Sequence, residues 1–416
     1  MAIQGLRTSG NFATDQRPKN WREGILMLYP NGDTPLTGLT SQMKSRSVDD
    51  PEFNWWEKSL ENRRHTLHAT SGDLTTTNTS ITLAAGSKGK TLKDGDILWI
   101  EQTDELVQVN GDPTSDTVIN VIRGVSGSTP ATLDANGAGI NPNLTVVGSA
   151  YEEGSNAPTG IGYDPTKRYN YTQIFRDTLE ATRTATKTKL RTGDQIKEAK
   201  RECLEYHAIG MERAFFLGKR YEGTKNGKPW RTLGGIKNVL DTLAPENVKN
   251  AKTDYSSGVT MRGLEEYMYN IFKYGSSEKV AFCGNRALLT VNQIVRKNSQ
   301  FNIVPGIKEY GMDVTRLVCP FGTLVLKTHP LFNQTTGGTT TGADYFGMES
   351  WMFVLDMKNI QYVTLTDGDT KYQPKLEDNG VDGMQSGYLT ECSLEVHHAQ
   401  THYLIKSMHT GVVDAS

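Results

Sequence analysis

The chain has 416 residues, of which 36% are hydrophobic and 22% charged, and its 45 basic and 47 acidic residues give a formal net charge of −2. This length can bury the cores of two or three domains. The near balance of charge excludes a protein whose overall field draws it onto nucleic acid or anionic lipid, so any contact with DNA must be local.

Hydropathy and cysteine usage indicate residence in a cytosol. No run of the sequence approaches the roughly 20 apolar residues that span a bilayer, and residues 1–24 lack the apolar core of a signal peptide, so we expect no membrane partner. The cysteines lie far apart without a Cys-x-x-Cys pair, which is typical of reduced, buried thiols rather than of disulfides or a zinc site. These residues are Cys203, Cys283, Cys319 and Cys392.

Residues 1–50 show neither helical nor strand periodicity over a useful length. They nevertheless carry a short apolar patch at Ile25–Tyr29, and a disordered tail would be poorer in apolar residues. An extended arm that lies on other surfaces explains both features. A leader packed locally on its own chain explains them equally well.

Residues 51–190 read as a long loop that carries an inserted module. Widely spaced apolar residues between Pro51 and Thr82 predict two long extended strands. Short apolar strands then alternate with glycine-rich turns, which is typical of a small β-barrel or sandwich over Gly86–Gly148. The predicted strands are Ile97–Ile100, Glu105–Val109, Thr117–Ile122 and Leu144–Val147. A polar, extended return follows from Glu152 to Lys189.

The stretch Thr192–Gly218 predicts one long amphipathic helix of about 24 residues. Apolar or small residues recur every three or four positions and form one face. This face comprises Ile196, Ala199, Cys203, His207, Met211 and Ala214, with Leu204, Ala208 and Phe215 alongside. Thr192 is placed as N-cap with Gln195 returning the bond, and Gly218 can close the helix in a left-handed conformation. A rod of about 36 Å indicates a scaffold element.

The remainder predicts an α/β region and then closing strands. Periodicity places helices around Leu264–Phe272 and Arg286–Arg296, a buried strand at Lys279–Cys283, and a hairpin made of Asp313–Cys319 and Gly322–Thr328. The run Thr335–Gly342 has too little side-chain bulk to pack and predicts a mobile loop. Strands at Trp351–Asp356, Gln361–Thr366 and Leu389–Ile405 are expected to return to the sheet beside the long helix.

The motifs that suggest chemistry are weak. Gly86–Thr91 resembles a phosphate-binding loop, but only two residues separate its first glycine pair and no helix follows. Asp94-Gly95-Asp96 and Asp367-Gly368-Asp369 lack the further oxygens of a calcium loop and read as turns.

His397, His398 and His402 near the C-terminus invite a metal site, but on a strand His398 and His402 would lie about 13 Å apart. None of the cysteines is marked as a nucleophile by a sequence-identifiable His partner. We therefore assign no catalytic, cofactor-binding or metal-ligating residue, expect no cofactor and expect no enzymatic activity.

Three stretches carry a resemblance to a known family. They are Glu212–Arg220 followed by Arg231–Ile236, then Ala281–Ala287, and then Asp382–Glu391. Together with the order of arm, loop, long helix, α/β region and closing strands, the chain resembles the major capsid protein of tailed bacteriophages, the Hong Kong 97-type fold. The resemblance covers most of the chain outside Gly86–Gly148.

The resemblance implies an α+β fold with five parts. They are an N-terminal arm (1–50), an extended loop (51–190) with a β-domain inserted at 86–148, a spine helix and peripheral domain (191–233), an axial domain (234–332), and C-terminal strands that return to the peripheral domain (333–416). It implies a self-assembling icosahedral virion shell of hexamers and pentamers around packaged double-stranded DNA, built in the bacterial host cytoplasm with scaffold, portal and possibly decoration proteins.

Other classes of protein stay open at this point. An encapsulin-like compartment shell or another phage structural protein is the near alternative. A Thr/Gly-rich adhesion module would need a signal peptide, and a hydrolase would need a site that the sequence does not mark. Some members of the family weld subunits with a lysine–asparagine bond. Lys88 and Lys90 lie near a loop, but no acceptor is marked, so we expect non-covalent assembly.

Overall fold

A computed structural model describes residues 39, 43–58, 63–68, 75–84, 86–132, 143–188, 194–298, 303–309, 312–334 and 347–409. Most of the predicted arm, the predicted loop Thr335–Gly342 and the predicted N-cap Thr192 lie outside these residues. The chain divides into two compact units. Unit 1 comprises 1–55 and 168–416, and unit 2 comprises 56–167.

Strands outnumber helices among the described residues. The strands are β1 (Lys44–Val48), β2 (Glu52–Glu57), β3 (Arg64–Thr66), β4 (Ser80–Thr82), β5 (Asp96–Ile100), β6 (Glu105–Val109), β7 (Val118–Ile122), β8 (Asn143–Ser149), β9 (Thr166–Tyr171), β10 (Gln173–Thr182), β11 (Tyr221–Lys225), β12 (Lys228–Thr232), β13 (Val248–Asn250), β14 (Glu278–Cys283), β15 (Ile303–Glu309), β16 (Met312–Cys319), β17 (Gly322–Thr328), β18 (Met352–Leu355), β19 (Ile360–Leu365), β20 (Lys371–Gln373), β21 (Gly383–Val396) and β22 (Tyr403–Lys406). The helices are α1 (Arg183–Lys187), α2 (Gln195–Leu217), α3 (Ile236–Leu243), α4 (Ala251–Asp254), α5 (Met261–Ile271) and α6 (Asn285–Asn298).

The first sheet of unit 1 has the order β1-β19-β21-β10, and β20 also pairs with β21. Its longest ladder joins β10 and β21 in antiparallel register, from Gln173 opposite Cys392 to Thr182 opposite Gly383. Helix α2 lies against this ladder. Met211 and Phe215 of the helix pack in one core with Cys392 and Leu394 of β21, so the helix and the ladder share their apolar interior.

The second sheet of unit 1 has seven strands in the order β13-β22-β18-β14-β17-β16-β15. Strand β14 reads Glu-Lys-Val-Ala-Phe-Cys and is paired on both sides, parallel to β17 and antiparallel to β18. Such a central strand needs the nearly continuous apolar run that its sequence supplies. Helices α5 and α6 pack against the sheet through Leu264, Met268 and Val291. The α/β elements and the hairpin predicted from periodicity are confirmed.

Unit 2 contains a six-stranded sheet in the order β3-β8-β5-β6-β7-β4. A bridge between Leu67 and Leu83 joins the two end strands, supported by the bond from Ala84 N to Thr66 O at 2.7 Å. The sheet therefore closes on itself, which removes its edges and makes it a barrel. Its interior is filled by apolar side chains, among them Leu98, Val107 and Ile119.

The structure corrects the predicted extent of this module. The range 86–148 omits β3 and β4, which belong to the same closed sheet. The two long strands expected over 51–82 are instead three shorter ones, β2, β3 and β4. The latter two have three residues each in a Thr-rich stretch, and they are too short for an alternating pattern to show.

The ends of α2 also differ from the prediction. Asp194 is the N-cap, and its side chain accepts a hydrogen bond from Ile196 N, so the predicted cap at Thr192 is wrong. The predicted return bond from Gln195 to Thr192 lies outside the described residues. Gly218 ends the helix at φ −51 and ψ 144 rather than in the left-handed region. Glycine is needed there for close approach, since a Cβ would lie 2.5 Å from Ala214 O.

The closing strands divide between the two sheets of unit 1. Strand β21 ends at Val396 and a short 3₁₀ turn, Ala399–Thr401, separates it from β22, so the single strand predicted over Leu389–Ile405 is wrong. Strands β19 and β21 join the sheet beside α2 as predicted, and β20, which the sequence did not predict, pairs there with β21. Strands β18 and β22 instead join the seven-stranded sheet. No helix in the described parts of the chain is long and apolar enough to cross a membrane.

Candidate assembly site

Helix α2 buries the face that its sequence predicts. Cys203, His207, Met211 and Phe215 follow one another at intervals of four residues and are all buried, whereas Leu204 is 40% exposed. The side chains of Glu212 and Phe216, which lie next to this stripe, are buried as well. A wider buried face indicates that α2 contacts more than one element.

Glu212 joins α2 to the segment that follows β17. Its Oε1 lies 3.0 Å from His329 Nε2, and the two side chains are 0% and 1% exposed. The same oxygen accepts a hydrogen bond from Leu39 N at 2.5 Å. A buried carboxylate needs such partners because desolvation without them is costly. Three segments far apart in the chain are thereby held at one point.

His207 joins the same helix to the long ladder. Its Nδ1 lies 2.7 Å from Asp177 Oδ2 on β10, and its Nε2 lies 2.7 Å from Thr390 Oγ1 on β21. The imidazole is fully buried while the Asp177 side chain is 46% exposed. Because both ring nitrogens are engaged, the contact fixes the position of α2 along the ladder as well as its distance from it.

A cluster of rings links α2 to the seven-stranded sheet. The ring of Phe216 lies within 6 Å of Phe282 on β14, Phe353 on β18, and both His329 and Phe332. Edge-to-face and tilted pairs of this kind add stabilisation beyond area burial. Helix α2 is therefore the shared element of the two sheets of unit 1.

Buried Lys279 stabilises the seven-stranded sheet where β14 begins. Its Nζ donates to the carbonyls of Ile271, Tyr274 and Thr401 at 2.7, 2.7 and 2.6 Å. Burial lowers the pKa of Lys279 to about 8, although the Asp356 carboxylate opposes that shift. The ammonium group satisfies carbonyls at the end of α5 that have no partner within the helix.

The segment after α2 forms a base and a projecting hairpin. At the base, the side-chain amide of Asn170 donates to Gly234 O at 3.0 Å and to Leu394 O at 2.8 Å. Its Oδ1 accepts a hydrogen bond from Gly234 N at 2.8 Å. Strands β11 and β12 then pair only with each other within the described residues. Their connection Asn226-Gly227 has positive φ at both residues, the geometry of a tight hairpin turn.

The residues that suggested chemistry do not come together. Gly86–Thr91 leads into a 3₁₀ turn over Gly89–Thr91, without a helix to receive phosphate. His397 Nε2 bonds Glu395 Oε1 at 2.6 Å, while His402 Nδ1 accepts from Asp356 N at 3.2 Å. These histidines flank a 3₁₀ turn rather than lying on a strand as expected.

Metal and thiol chemistry find no site in the described ranges. Within those ranges, no group of three His, Cys, Asp or Glu side chains is placed to hold a metal ion. All four cysteines are buried and free of disulfides, as predicted. Burial raises the pKa of Cys392 to about 12, and it raises the pKa of Cys283 further still. Neither thiol is therefore a ready nucleophile.

The residues that sequence reasoning missed are Glu212, His329, Asn170 and the charged hairpin. Glu212 gave one usable signal, a carboxylate flanked by Met211 and Phe215 on the apolar side of a helix. His329 and Asn170 gave none, because their partners are 64 to 224 residues away in the chain.

The described elements define an α+β protein, in which buried polar contacts tie one long helix to two sheets. The model of the SU10 major capsid protein family matches residues 5–409, and the chain belongs to that family. It is the major capsid protein of a phage, so the resemblance seen in the sequence is confirmed. The α+β class is confirmed by the described elements.

The chain is also similar to individual proteins. The major capsid protein of Pseudomonas phage PaMx41 is 29% identical over 340 residues, which span 78% of this chain and 77% of that protein. Among solved structures, the holo-SrpI encapsulin complex from Synechococcus elongatus PCC 7942 has a TM-score of 0.47 at 10% identity, covering 99% of this chain and 100% of that chain. The capsid of cyanophage P-SCSP1u has a TM-score of 0.44 at 10% identity and covers 97% of both chains.

Proposed function

We propose that copies of this chain assemble without covalent links into an icosahedral shell of hexamers and pentamers that encloses double-stranded DNA, and that the chain catalyses no reaction. The observation that carries the proposal is the family match over residues 5–409. The geometry supports it because α2 ties both sheets of unit 1 together, and a subunit that bears load from several neighbours needs such a rigid frame.

The parts of the subunit are assigned from the resemblance. We assign α2 and the sheet β1-β19-β21-β10 to the peripheral domain, and the seven-stranded sheet with α5 and α6 to the axial domain around the capsomer centre. Scaffold, portal and possibly decoration proteins would be the other partners. Assembly would take place in the cytoplasm of the bacterial host.

Electron microscopy of the protein, expressed alone and with the neighbouring phage genes, tests the proposal. Closed polyhedral shells, or sheets and tubes of six-fold units, are the expected result. A chain that stays monomeric at high concentration under both conditions would overturn it. Shells that enclose cargo proteins instead of DNA would favour the encapsulin-like alternative.

Gel electrophoresis under reducing and denaturing conditions tests the absence of covalent links. Mature particles should give a single band of monomer size. A ladder of higher bands would show cross-linked subunits, and Lys88 and Lys90 would then be the first residues to replace.

The barrel of unit 2 is the natural candidate for a stabilising clamp on an adjacent subunit. Most of the barrel can be deleted without stretching the remaining chain. Val146 N donates to Arg63 O at 3.0 Å, so the two residues that a short linker would join are already adjacent. We would replace residues 64–145 by a short Gly-Ser turn. Shells of the shortened chain should form but disassemble at a lower temperature, and equal heat stability would reject the clamp.

A further inference from the structure

The hairpin β11–β12 has the chemistry of an interaction surface. Five basic residues and one acidic residue lie within Lys219–Thr232, namely Lys219, Arg220, Lys225, Lys228 and Arg231 against Glu222. Glu222 already pairs with Arg231 at 2.8 Å, and Lys225 and Lys228 stand exposed beside the turn. The end of the hairpin therefore carries an unbalanced positive charge.

Aromatic side chains accompany this charge. Tyr221 and Trp230 are 54% and 46% exposed, and their ring centroids lie 5.6 Å apart across the two strands. An isolated two-stranded hairpin is marginally stable in water, and exposed Tyr and Trp beside Arg and Lys are typical of surfaces that a protein partner covers.

A surface of the opposite charge lies at the far end of the long ladder. There a cavity of about 410 Å³ is lined by Glu180, Glu377, Asp378 and Asp382 and by no lysine or arginine. Val381 in its lining is 63% exposed. Two basic neighbours offset part of this charge. Arg183 pairs with Asp382 at 2.9 Å, and the charge of Lys375 helps to lower the pKa of Glu377, so two carboxylates remain in excess.

The two surfaces sit at opposite ends of β10. The hairpin is rooted at the first residue of the strand, where Leu233 N donates to Gln173 Oε1 at 3.1 Å. The cavity surrounds the last residues, Glu180–Thr182. Nine steps along a strand span about 30 Å, whereas the hairpin reaches roughly 13 Å from root to turn. Within one subunit the hairpin and the cavity therefore cannot meet.

We propose that the hairpin β11–β12 of one subunit docks into the acidic cavity at Glu180, Glu377 and Asp378 of the next copy of this chain. Charge complementarity selects this occupant, since basic side chains meet carboxylates and Trp230 meets exposed Val381. A contact between different surfaces at opposite ends of the subunit is head-to-tail, and it closes into a ring when the rotation allows. The inference rests on the proposed function and names the contact that would join neighbours in a capsomer.

Charge reversal and its rescue test the contact in the full chain. Lys225→Glu with Lys228→Glu, and separately Glu377→Lys with Asp378→Lys, should each lower the fraction of chain in sedimenting particles at least about tenfold, because like charges then face each other. The four changes together should restore assembly. All of these residues are exposed, and circular dichroism identifies any variant that fails to fold.

A disulfide across the contact gives a second, independent readout. Lys228→Cys with Val381→Cys should form a ladder of linked chains on a non-reducing gel after mild oxidation. Neither single variant should do so, and the buried native cysteines serve as the internal control. Within one chain the hairpin turn stays at least about 17 Å from the cavity, which prevents an intramolecular link from imitating the result.

Two outcomes would overturn the proposal while leaving the proposed function intact. In the first, both reversal variants form shells as the unchanged chain does, and the double-cysteine variant stays monomeric on the gel. In the second, the hairpin variant forms normal shells that fail only to retain DNA, which would assign the basic hairpin to a polyanion. Failure of the unchanged chain to assemble would instead count against the proposed function itself.

Discussion

The carboxylate of Glu212 lies 3.0 Å from the imidazole Nε2 of His329 in a place that water does not reach. The contact joins the C-terminal part of α2 to the segment that follows β17. Since removal of one partner leaves the other buried without compensation, this pair is a point where the subunit is vulnerable to a single change.

Glu212→Ala should lower the free energy of unfolding of unassembled subunits by about 3 to 5 kcal/mol, the usual cost of breaking a buried pair. Urea unfolding followed by tryptophan fluorescence measures the change. Lys197→Ala is the matched control, since it lies on the same helix with its side chain 84% exposed, and its effect should stay within about 0.5 kcal/mol. Equal effects of the two variants would show that the buried pair is not important for stability.

The barrel contains two Glu–Arg ion pairs that have the same chemical groups but differ in how deeply they are buried. Glu105 and Arg123 are 0% and 5% exposed and form two bonds of 2.7 Å. Glu101 and Arg64 are 26% and 48% exposed. Burial raises the pKa of Glu105, but bonds from Arg123 and from backbone N–H groups outweigh it, so the pKa is lowered overall.

Arg123→Ala should therefore destabilise the barrel by about 3 to 5 kcal/mol, while Arg64→Ala should cost much less, because its ion pair is exposed to solvent. Hydrogen exchange of peptides from β5, β6 and β8 in the full chain measures the loss of barrel stability in both variants. Faster exchange in the Arg64 variant than in the Arg123 variant would contradict the role given to burial.

The pH dependence of the barrel should follow Glu101. Bonds from Arg64 and Thr145 lower the pKa of this carboxyl from its ordinary 4.5 to about 2. A lowered pKa means that the ionised form stabilises the folded state, so its contribution is present above pH 4.5 and is lost as the pH falls from 4.5 towards 2.

Exchange protection of β3 and β8 should accordingly differ between the unchanged chain and Glu101→Gln at pH 6, and the difference should shrink by pH 2.5. Glu153→Gln, at an exposed loop position, is the control and should show no such trend. A difference that persists unchanged at pH 2.5 would refute the assignment to Glu101.

Two glycines near the spine helix should respond to alanine in opposite directions. A Cβ at Gly235 would lie 2.6 Å from Ala214 O and 2.7 Å from Phe215 O, so Gly235→Ala must separate α3 from the end of α2. A Cβ at Gly210 meets nothing within 4 Å, and Gly210→Ala should stabilise the helix by about 0.5 to 1 kcal/mol. The midpoint temperature of thermal unfolding of unassembled subunits should fall for Gly235→Ala and rise for Gly210→Ala. A change in the same direction for both variants would contradict this prediction.

The sequence predicted features that are encoded locally. Strands β5 to β8 of the barrel were found because turns such as Asn110-Gly111 punctuate them, and α2 was found because its apolar residues recur at helical spacing. Its start was predicted two residues too early, since Thr192 and Asp194 are both residue types that cap helices. Glu212 could not be paired in advance with His329, which lies 117 residues further along.

The long ladder between β10 and β21 has a consequence for how the protein is made. Gln385 bonds Glu180 across 205 residues of intervening chain. Pairing across such a separation is slow, and on the ribosome β10 must wait until nearly the whole chain has been synthesised. A prematurely terminated chain lacks β21, and with it the sheet on which the spine helix rests. Unfinished chains are thus barred from entering a growing shell, and the order of synthesis itself acts as quality control.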